Sequence, residues 1–358
     1  MCITVLNVAY PFAPVCSDTA GGAEQIVLQL DKALVSAGYK SVVVGCEGSE
    51  VSGRLVKIPR PGGKIDDICR RRIYRRVEAA VEEAIDLYNV DLIHYHGVDF
   101  YHYLYSGKTI KLITLHLPIP WYPQDILSRH SSNTFFNCVS LHQFRNLNKF
   151  SSNMFCIPNG VDISYPEKIY TARGNYAVAL GRICPEKSIH EAMDAATSAG
   201  ISLFLAGSVF PYEEHEKYFA EEIGPRLLHT SHRFLGTLPF IRRRKLLSRA
   251  LCCLITSRAQ ETSSLVAMEA LACGTPVIAY PSGALCDIVE DGITGFLVDD
   301  CQQMAAAVEK VSLISKSVCF LRAAERFSQN KMLRKYLGTY SHILNSGKEI
   351  SGEGWKAG

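Results

Sequence analysis

The sequence predicts an α/β protein of two doubly wound domains, each a parallel sheet with helices on both faces. Short apolar runs alternate with longer amphipathic stretches along most of the chain, which is the pattern of such sheets. The 358 residues exceed one typical core, because a domain averages roughly 150 residues. The alternation breaks at 158–175, where turn-forming residues dominate. We therefore predict domains at 1–167 and 168–335, and a helix and tail at 336–358 that could return to the first domain.

The first half of the chain supplies alternating strands and helices. Ile26, Val27, Leu30 and Leu34 share one face of a predicted helix that ends at Gly38. The second predicted helix is RRVEAAVEEAIDLYN, and the predicted strands are CITVLNVAY, SVVVGC, DLIHYHG and KLITLH.

The second half repeats this alternation. Its predicted strands are YAVALG, SLFLAGS, RFLG, LCCLITS and TPVIAY, and its helices include SIHEAMDAATSAG and FAEEIGPRLL. The helical stretch NKMLRKYLGTYSHIL could belong to either domain. Ligands of doubly wound sheets bind beyond the carboxyl ends of the strands. We therefore expect a site in a cleft where two such domains face each other.

Composition excludes several classes of function. The net charge of +3 is too small to argue for nucleic-acid binding, and no apolar run reaches the roughly 18 residues of a membrane span. The N-terminus, MCITVLNVAYPF, resembles a first strand rather than a signal peptide. The thirteen cysteines are scattered without the spacing of a zinc site, as expected of buried thiols in a reducing cytoplasm.

The short motifs of nucleoside triphosphatases, dinucleotide-binding proteins, serine hydrolases and metal sites are incomplete or absent. SGKT at 106–109 lacks the glycine that a phosphate-binding P-loop requires, because His102 occupies that position. No G-x-G-x-x-G follows the first strand, and no G-x-S-x-G is present. The adjacent pairs Asp66-Asp67 and Asp299-Asp300 are more typical of solvated turns than of metal ligands. We expect neither a metal nor a dinucleotide cofactor.

The stretch SRAQETSSLVAMEALACGTPVIAY, residues 257–280, carries the clearest chemistry. A helix is predicted to start near Thr262 to Ser264, which are good N-caps, and to stop at Gly274. The amides of Ser264 to Val266 would have no partner within the helix and would carry the positive end of its dipole. These amides form a ready site for a phosphate group.

Two glutamates flank this helix start. Glu261 precedes the helix at the carboxyl end of a strand, and Glu269 lies about two turns further on. A carboxylate at Glu269 could accept two hydrogen bonds from a vicinal diol such as a ribose. Both could instead be ordinary helix acids, but Glu269 lies in an apolar segment, where a carboxylate is costly unless it is paired. We favour a ligand-binding role.

Two further segments suit a phosphate ligand. Arg182 follows a strand and Lys187 opens a helix. The planar guanidinium of Arg182 and the flexible ammonium group of Lys187 are suited to bind a pyrophosphate. Gly21-Gly22, between the first strand and the first helix, would let the backbone approach a phosphate or a sugar. A simple tight turn at these glycines is an equal alternative.

Taken in order, these segments resemble the family 4 glycosyltransferases, retaining enzymes with the GT-B fold. The resemblance covers nearly the whole chain, and the glutamate pair with its CGTPV continuation is its most specific part. The matching segments are Gly21-Gly22, PNGVD at 158–162, Gly181-Arg182 with Lys187, FLGTLP at 234–239, Glu261 with Glu269, ACGTPVIA and GITGFLVD at 292–299.

The resemblance implies roles for individual residues. Glu269 would bind the ribose, Glu261 would contact the transferred sugar, and Leu238 would lie near the base. The residues implied in donor binding are Gly21, Gly22, Arg182, Lys187, Leu238, Glu261, Ser264, Leu265, Val266 and Glu269. Those implied in catalysis are His116, Glu261, Arg182 and Lys187. His116, in LITLH, matches the family histidine near the sugar, and His96 is a weaker candidate.

Two departures from the family pattern concern the donor site. Thr262-Ser263-Ser264 replaces a glycine-rich stretch that commonly follows the first glutamate, so donor preference is expected to differ there. Ser188 replaces the glycine that commonly follows the lysine, and a serine can still cap a helix.

The resemblance implies metal-independent transfer of a sugar, without a cofactor, from a nucleotide-diphosphate sugar to an acceptor hydroxyl. The acceptor would be a glycan, a lipid-linked molecule or a natural product, docked on the first domain, while the second domain binds the donor. Nucleic acid is not an expected partner. A GT-B-fold nucleotide-sugar epimerase and a non-catalytic nucleotide-sugar-binding protein are the alternatives.

The acceptor side offers fewer signals. The basic clusters RRRIYRR at 70–76 and RRRK at 242–245 are better explained as solvated helix faces than as membrane contacts. Trp121 is a candidate for stacking on an acceptor ring. We expect a cytoplasmic protein that can make peripheral contact with the inner membrane face.

Overall fold

The computed structural model describes residues 2–19, 21–63, 65–128, 131–146, 153–164, 173–228 and 230–350. The chain divides into two compact units. The N-terminal unit comprises Met1–Val139, Phe144–Ile157 and Met332–Gly358, and the C-terminal unit comprises Ser140–Gln143 and Pro158–Lys331. The predicted boundary between 167 and 168, and the end of the predicted tail from 351 onward, lie outside the described residues.

The N-terminal unit contains a parallel sheet of seven strands in the order β3-β2-β1-β4-β5-β6-β7. Its elements before residue 100 are β1 Thr4–Val8, α1 Gly22–Ser36, β2 Lys40–Cys46, β3 Arg54–Ile58, α2 Asp67–Tyr88 and β4 Leu92–Tyr95. The elements that follow are β5 Ile110–Leu115, α3 Gln124–Ser128, β6 Thr134–Cys138, α4 Leu141–Arg145 and β7 Met154–Cys156. The central strands β1 and β4 are buried at every position, as strands covered on both faces must be.

The C-terminal unit contains a parallel sheet of six strands in the order β10-β9-β8-β11-β12-β13. Its strands are β8 Tyr176–Leu180, β9 Ser202–Ala206, β10 Arg233–Phe234, β11 Cys252–Ile255, β12 Val277–Ala279 and β13 Gly295–Leu297. Its helices are α5 Ile189–Ser198, α6 Glu213–Tyr218, α7 Gly224–Leu227, α8 Phe240–Arg249, α9 Leu265–Ala272, α10 Leu285–Ile288, α11 Cys301–Lys310 and α12 Lys316–Arg326. The predicted class of two parallel α/β sheets is therefore confirmed.

Each sheet has one point where the strand order reverses. In the N-terminal unit the reversal lies between β1 and β4, and in the C-terminal unit between β8 and β11. Ligands of open α/β sheets bind at the carboxyl ends of the strands at such a point. Arg182 follows β8 and Glu261 follows β11, while Gly21 follows β1 and His96 follows β4. These four candidate residues thus follow the strands that flank the reversal point of their own sheet.

The last helix, α13, spans Gln329–Ile350. Two of its tyrosines, Tyr336 and Tyr340, are fully buried in the N-terminal unit. Asn137 Nδ2 donates to the Tyr336 hydroxyl at 2.9 Å, and the Tyr340 hydroxyl lies 2.7 Å from His94 Nδ1. Residues from Met332 onward belong to the N-terminal unit by their contacts.

One aspartate of each adjacent pair caps a helix. Asp66 accepts a hydrogen bond from the Cys69 amide at 2.8 Å and caps α2, and Asp300 accepts from the Gln303 amide at 2.8 Å and caps α11. Such side chains satisfy amides that the first helical turn leaves without a partner. All thirteen cysteines are free thiols. None of the described helices combines the length and the apolar character needed to cross a membrane.

Candidate active site

Lys187 and Glu261 form an ion pair in the C-terminal unit. The ammonium nitrogen donates directly to Glu261 Oε1. The glutamate side chain retains only 10% of its exposure and the lysine 28%, so the pair is partly shielded from solvent and interacts more strongly than a surface pair. The structure therefore brings together two predicted site residues that are 74 positions apart in the sequence.

A short 3₁₀ turn, Pro185–Lys187, positions the lysine. The Thr256 hydroxyl, just beyond β11, donates to the Lys187 carbonyl at 3.0 Å and to the Ser188 carbonyl at 2.8 Å. The Arg258 amide donates to the Glu186 carbonyl at 2.9 Å. The turn after β8 is thus fastened to the loop after β11, which fixes Lys187 beside Glu261.

Gly283 supports the backbone of Glu261 from the other side. It has φ +57°, and a Cβ placed on it would lie 2.3 Å from the Glu261 carbonyl oxygen and 2.8 Å from the Glu261 nitrogen. The Ala284 amide donates to the same carbonyl at 2.7 Å. Because only glycine combines a positive φ with such a close approach, the loop after β12 holds the Glu261 loop in place.

We expect Gly283→Ala to displace Glu261 and to impair both stability and donor binding. The matched control is Gly292→Ala, because Gly292 also has a positive φ, +71°, but no atom within 4 Å of an added Cβ. The control bears only backbone strain of about 1 kcal/mol, whereas Gly283→Ala also forces two backbone segments apart. Thermal melts and donor titrations of both variants test this. Equal losses in the two variants would contradict the supporting role of Gly283.

Helix α9 starts at Leu265, with Ser264 as its N-cap. Its first amides, including those of Leu265 and Val266, have no intrahelical partner because of helix geometry, as the phosphate-site prediction requires. The Ser264 side chain makes no capping hydrogen bond, although serine is a good N-cap. The buried hydroxyl of Ser263 has no hydrogen-bond partner among the described residues.

Glu269 is 6% exposed and pairs with Arg243. Arg243 Nη2 donates to Glu269 Oε1 at 3.1 Å. Arg243 Nε lies 3.0 Å from Oε2, without the alignment of a hydrogen bond. A buried carboxylate in an apolar segment needs a partner, and Arg243 supplies that partner from within the chain. Arg243 uses part of the acceptor capacity of Glu269, and a carboxylate has about four lone-pair positions in all.

The interpretation of RRRK at 242–245 as a solvated face was wrong for two of its four residues. Arg244 is fully buried, and its Nη1 donates to the Asp162 carbonyl at 2.6 Å. The Arg243 side chain is 14% exposed. Arg242 and Lys245 are exposed. Arg243 is one residue of this site that the sequence did not reveal, because a run of four basic residues does not by itself show which of them faces inward.

Arg182 is half-buried after β8, and its guanidinium lies 5.9 Å from the centre of the Phe210 ring. Gly207, which follows β9, allows the backbone at the adjacent Gly181 to approach closely. A Cβ on Gly207 would lie 1.7 Å from the Gly181 carbonyl oxygen. Leu238 is half-buried in the loop between β10 and α8.

Ser188 was expected to be able to cap the helix that follows Lys187. It is the N-cap residue of α5, but its side chain makes no capping hydrogen bond. Its hydroxyl donates backward to the Pro185 carbonyl at 3.1 Å. Ser188 has φ +45° and is 4% exposed. The backbone here thus adopts the left-handed conformation that glycine favours, which accounts for the glycine that commonly occupies the matching family position.

Gly21 is the N-cap residue of α1, which starts at Gly22. The carboxylate of Glu24, buried to 6% exposure, lies against Gly21, so that a Cβ on the glycine would be 1.8 Å from Glu24 Oε2. A negative side chain therefore occupies the positive end of this helix. Glu24 was absent from the predicted site, although an acid three residues after an N-cap is a recognised signal of a helix start.

Three histidines lie together at the carboxyl ends of β4 and β5. His96 Nδ1 is 3.2 Å from His116 Nε2, and His96 Nε2 is 3.3 Å from Asn7 Oδ1. His94 is fully buried between the hydroxyls of Tyr340 and Thr114, at 2.7 Å from each. Burial lowers the pKa of His116 to about 3, and burial with the neighbouring histidines lowers the pKa of His94 and His96 well below 6.5. All three rings are neutral at physiological pH.

Because these buried histidines are neutral in the folded state, we expect the unfolding free energy to decrease in acid. The unfolded histidines take up protons near pH 6.5 and the folded ones only at much lower pH, so the unfolded state binds more protons between about 6.5 and about 3. Unfolding free energy should therefore decrease below pH 6.5, by about 1.4 kcal/mol per pH unit for each histidine. Denaturant titrations from pH 7 to 4.5 measure this slope. His96→Gln should reduce the slope by the contribution of one histidine, about 1.4 kcal/mol per pH unit, and substitution of the exposed His102 is the control. An unchanged slope in His96→Gln would contradict the assignment.

The remaining predicted residues lie apart from these contacts. Trp121 is 51% exposed in a short 3₁₀ turn, Ile119–Trp121, after β5. In the cluster at 70–76, Arg71, Arg72, Arg75 and Arg76 are exposed on α2.

Comparison with known proteins accounts for this arrangement. Residues 20–165 match the family model described as Glycosyltransferase Family 4, and residues 167–333 match the model described as Glycosyl transferases group 1. Together the two matches span most of the chain.

Curated proteins and solved structures are similar to the chain. The chain is 28% identical to an uncharacterized glycosyltransferase of Methanocaldococcus jannaschii over 60% of its length, and the match spans about half, 53%, of that relative. It is 23% identical to the phosphatidyl-myo-inositol mannosyltransferase of Mycobacterium leprae, over 94% of this chain and 97% of that one.

The solved structures agree in fold. Sucrose-phosphate synthase from Thermosynechococcus elongatus superposes with a TM-score of 0.81 at 21% identity, covering 96% of this chain and 100% of the other. Anabaena HepE in complex with UDP-glucose superposes with a TM-score of 0.72 at 18% identity, covering 95% of this chain and 100% of the other. With the two family matches and the two parallel α/β sheets, these findings show that the chain belongs to the family 4 glycosyltransferases of GT-B fold.

Proposed function

We propose that this protein transfers a sugar from a nucleotide-diphosphate sugar to an acceptor hydroxyl, with retention of anomeric configuration and without a metal in the reaction. The observation that carries the proposal is the Lys187–Glu261 pair. It lies beyond the carboxyl ends of the paired strands β8 and β11, with Arg182 after β8 and the start of α9 after β11. Cationic side chains, a carboxylate and free helix amides at one sheet edge suit a ligand that combines a diphosphate with a sugar.

The reaction breaks the bond between the anomeric carbon and the diphosphate. Its transition state resembles an oxocarbenium ion, and negative charge builds on the leaving nucleoside diphosphate. Arg182, Lys187 and the amides of Leu265 and Val266 would stabilise that charge, as fixed donors do at developing anions. Lys187 would exchange its contact with Glu261 for the diphosphate, which would free the Glu261 carboxylate to accept from the sugar hydroxyls.

The C-terminal unit is assigned to the donor. Glu269 would bind the ribose with the acceptor positions that Arg243 leaves open, and Leu238 would lie near the base. Anabaena HepE, whose solved complexes contain UDP and UDP-glucose, supports a nucleotide-sugar donor for the present chain. Retention without a carboxylate nucleophile implies a front-face mechanism, which is the expectation that the family resemblance provides.

The N-terminal unit is assigned to the acceptor. His116 would contact the transferred sugar as a neutral imidazole, able to donate or accept a hydrogen bond but not to supply a positive charge. The exposed ring of Trp121 is available for stacking on an acceptor. The acceptor classes are a glycan, a lipid-linked molecule or a natural product. Peripheral contact of the exposed arginines of α2 with an anionic membrane face would serve the lipid-linked class.

A donor panel tests the proposal. UDP-, GDP- and ADP-sugars are incubated with the protein, with and without an acceptor mixture and with and without EDTA, and the products are resolved by mass and by anomeric NMR. We expect one donor class to release nucleoside diphosphate only when an acceptor is present. The new linkage should have the same anomeric configuration as the donor. EDTA should not reduce the transfer activity. An isomerised sugar without an acceptor would instead identify an epimerase. Donor binding without turnover would identify a binding protein.

A further inference from the structure

A cluster of three metal-binding side-chain types lies beside the donor site. One ligand atom from each of Cys184, Glu186 and His215 lies within 4.8 Å of the other two. Cys184 is fully buried and His215 is 7% exposed, while Glu186 is exposed. The cluster uses none of the side chains assigned to the donor above.

Local structure explains why these residues meet. Cys184 is the N-cap residue of the 3₁₀ turn Pro185–Lys187 after β8, and Glu186 is the second residue of that turn. His215 lies in the first turns of α6, where the rings of Phe210 and Tyr212 pack around it at 6.2 and 5.2 Å. These rings pack against the imidazole, and the charged groups that act on it are Glu186, Arg182 and Glu214.

His215 has an unsatisfied polar atom. Its Nδ1 is buried and has no hydrogen-bond partner among the described residues. Leaving a buried polar atom without a partner costs about 1–3 kcal/mol, so such atoms in native proteins call for an explanation, and an absent ion is one of them. The same imidazole that belongs to the cluster therefore carries a buried nitrogen whose hydrogen-bonding capacity is unused, which is a second observation in favour of a ligand there.

We propose that Cys184, Glu186 and His215 bind a zinc ion, with the fourth coordination position open. A thiolate and an imidazole favour zinc over magnesium and calcium, which prefer oxygen ligands. Zinc bonds of about 2.0–2.3 Å bring neighbouring ligand atoms well within 4.8 Å of one another, the separation inside which these three atoms already lie, so small side-chain rotations would complete the site. The thiolate and the carboxylate together neutralise the charge of the ion.

Zinc binding displaces a proton from Cys184. The thiol lies 3.7 Å from the Arg182 carbonyl, to which its proton points, and this proton leaves to solvent as the sulfur–metal bond forms. Burial raises the pKa of the Cys184 thiol to about 11, and the positive charges of Arg182 and Lys187 offset part of that rise. This site is independent of the proposed function, because its ligands differ from the donor-binding side chains and its occupancy is measurable without donor or acceptor.

Cobalt(II) titration of the metal-free full chain tests the site, because cobalt replaces zinc in such sites and reports its ligands by absorption. We expect one equivalent to give a thiolate-to-cobalt charge-transfer band and intense tetrahedral visible bands, both abolished by stoichiometric zinc. Cys184→Ser should abolish the charge-transfer band. His215→Gln should weaken cobalt binding at least about tenfold, the scale of losing one contributor to a metal site. Glu186→Gln, at the exposed position of the cluster, should do the same.

The control is Cys286→Ser, which removes an exposed cysteine of the same unit and should leave the titration unchanged. Circular dichroism and thermal melting establish that each variant is folded. If Cys184→Ser does not fold, Glu186→Gln still decides the question, because Glu186 is exposed. Absence of the charge-transfer band in the wild-type chain, or equal cobalt affinity in wild type, Glu186→Gln and His215→Gln, would overturn the proposal.

Discussion

Lys187→Ala should lower kcat/KM for sugar transfer by at least about a hundredfold, the scale of losing one fixed electrostatic donor to a transition-state charge. The substitution removes a cation that the proposed mechanism places on the leaving diphosphate. It also leaves the Glu261 carboxylate, whose side chain is only 10% exposed, without its partner. A partly buried anion next to the donor would repel the incoming diphosphate, so both donor affinity and kcat should fall.

Two further variants separate these effects. Lys187→Ala combined with Glu261→Gln removes the unpaired charge, so donor affinity should recover in part while kcat stays low. Lys310→Ala, at an exposed position near the end of α11, should transfer at the wild-type rate. Steady-state kinetics and calorimetric donor titrations supply both readouts. A Lys187→Ala variant within threefold of wild type would refute the placement of the lysine on the diphosphate.

The sequence predicted the strands at the centre of each sheet and missed most of those near the edges. Central strands are buried on both faces and form continuous apolar runs, as in KSVVVGC of β2. In contrast, β3 has exposed and half-buried positions, β7 has only three residues, and β13 lies within a turn-rich motif. Such strands depend on pairing with a neighbour, which periodicity within one segment does not reveal.

Contacts between distant segments explain why parts of the site could be predicted and others not. Arg182 and Lys187 were recognisable because each lies at a strand end or helix start. Gly283 was not, because its role depends on the approach of the Glu261 backbone, 22 positions earlier. Arg244 follows Phe240 by four residues and precedes Leu247 by three, so helical spacing places it on the inward face of α8. The four consecutive basic residues at 242–245 suggested an exposed face instead, and the spacing was therefore overlooked.

Glu269 is paired with Arg243 within the chain, and we expect Arg243→Met to cause a large loss of stability. It leaves a carboxylate with 7% side-chain exposure without its cation, which should cost about 3–5 kcal/mol. For a unit of this size that corresponds to a fall in Tm of roughly 10 °C. Arg226→Met is the matched control, because Arg226 makes two hydrogen bonds to Asp194 at a more exposed position, and it should cost no more than about 1 kcal/mol.

The double variant Arg243→Met with Glu269→Gln distinguishes a structural carboxylate from a ribose-binding one. It removes both charges, so most of the lost stability should return, because a buried ion pair replaced by neutral side chains of similar volume is often tolerated. Transfer should nevertheless remain at least about a hundredfold below wild type, since a neutral amide cannot accept from both hydroxyls of a ribose with the strength of a carboxylate. Thermal melts and steady-state kinetics on the same preparations give both quantities. Recovery of transfer together with stability would show that Glu269 serves only to pair with Arg243, and the ribose would then require another acceptor in the C-terminal unit.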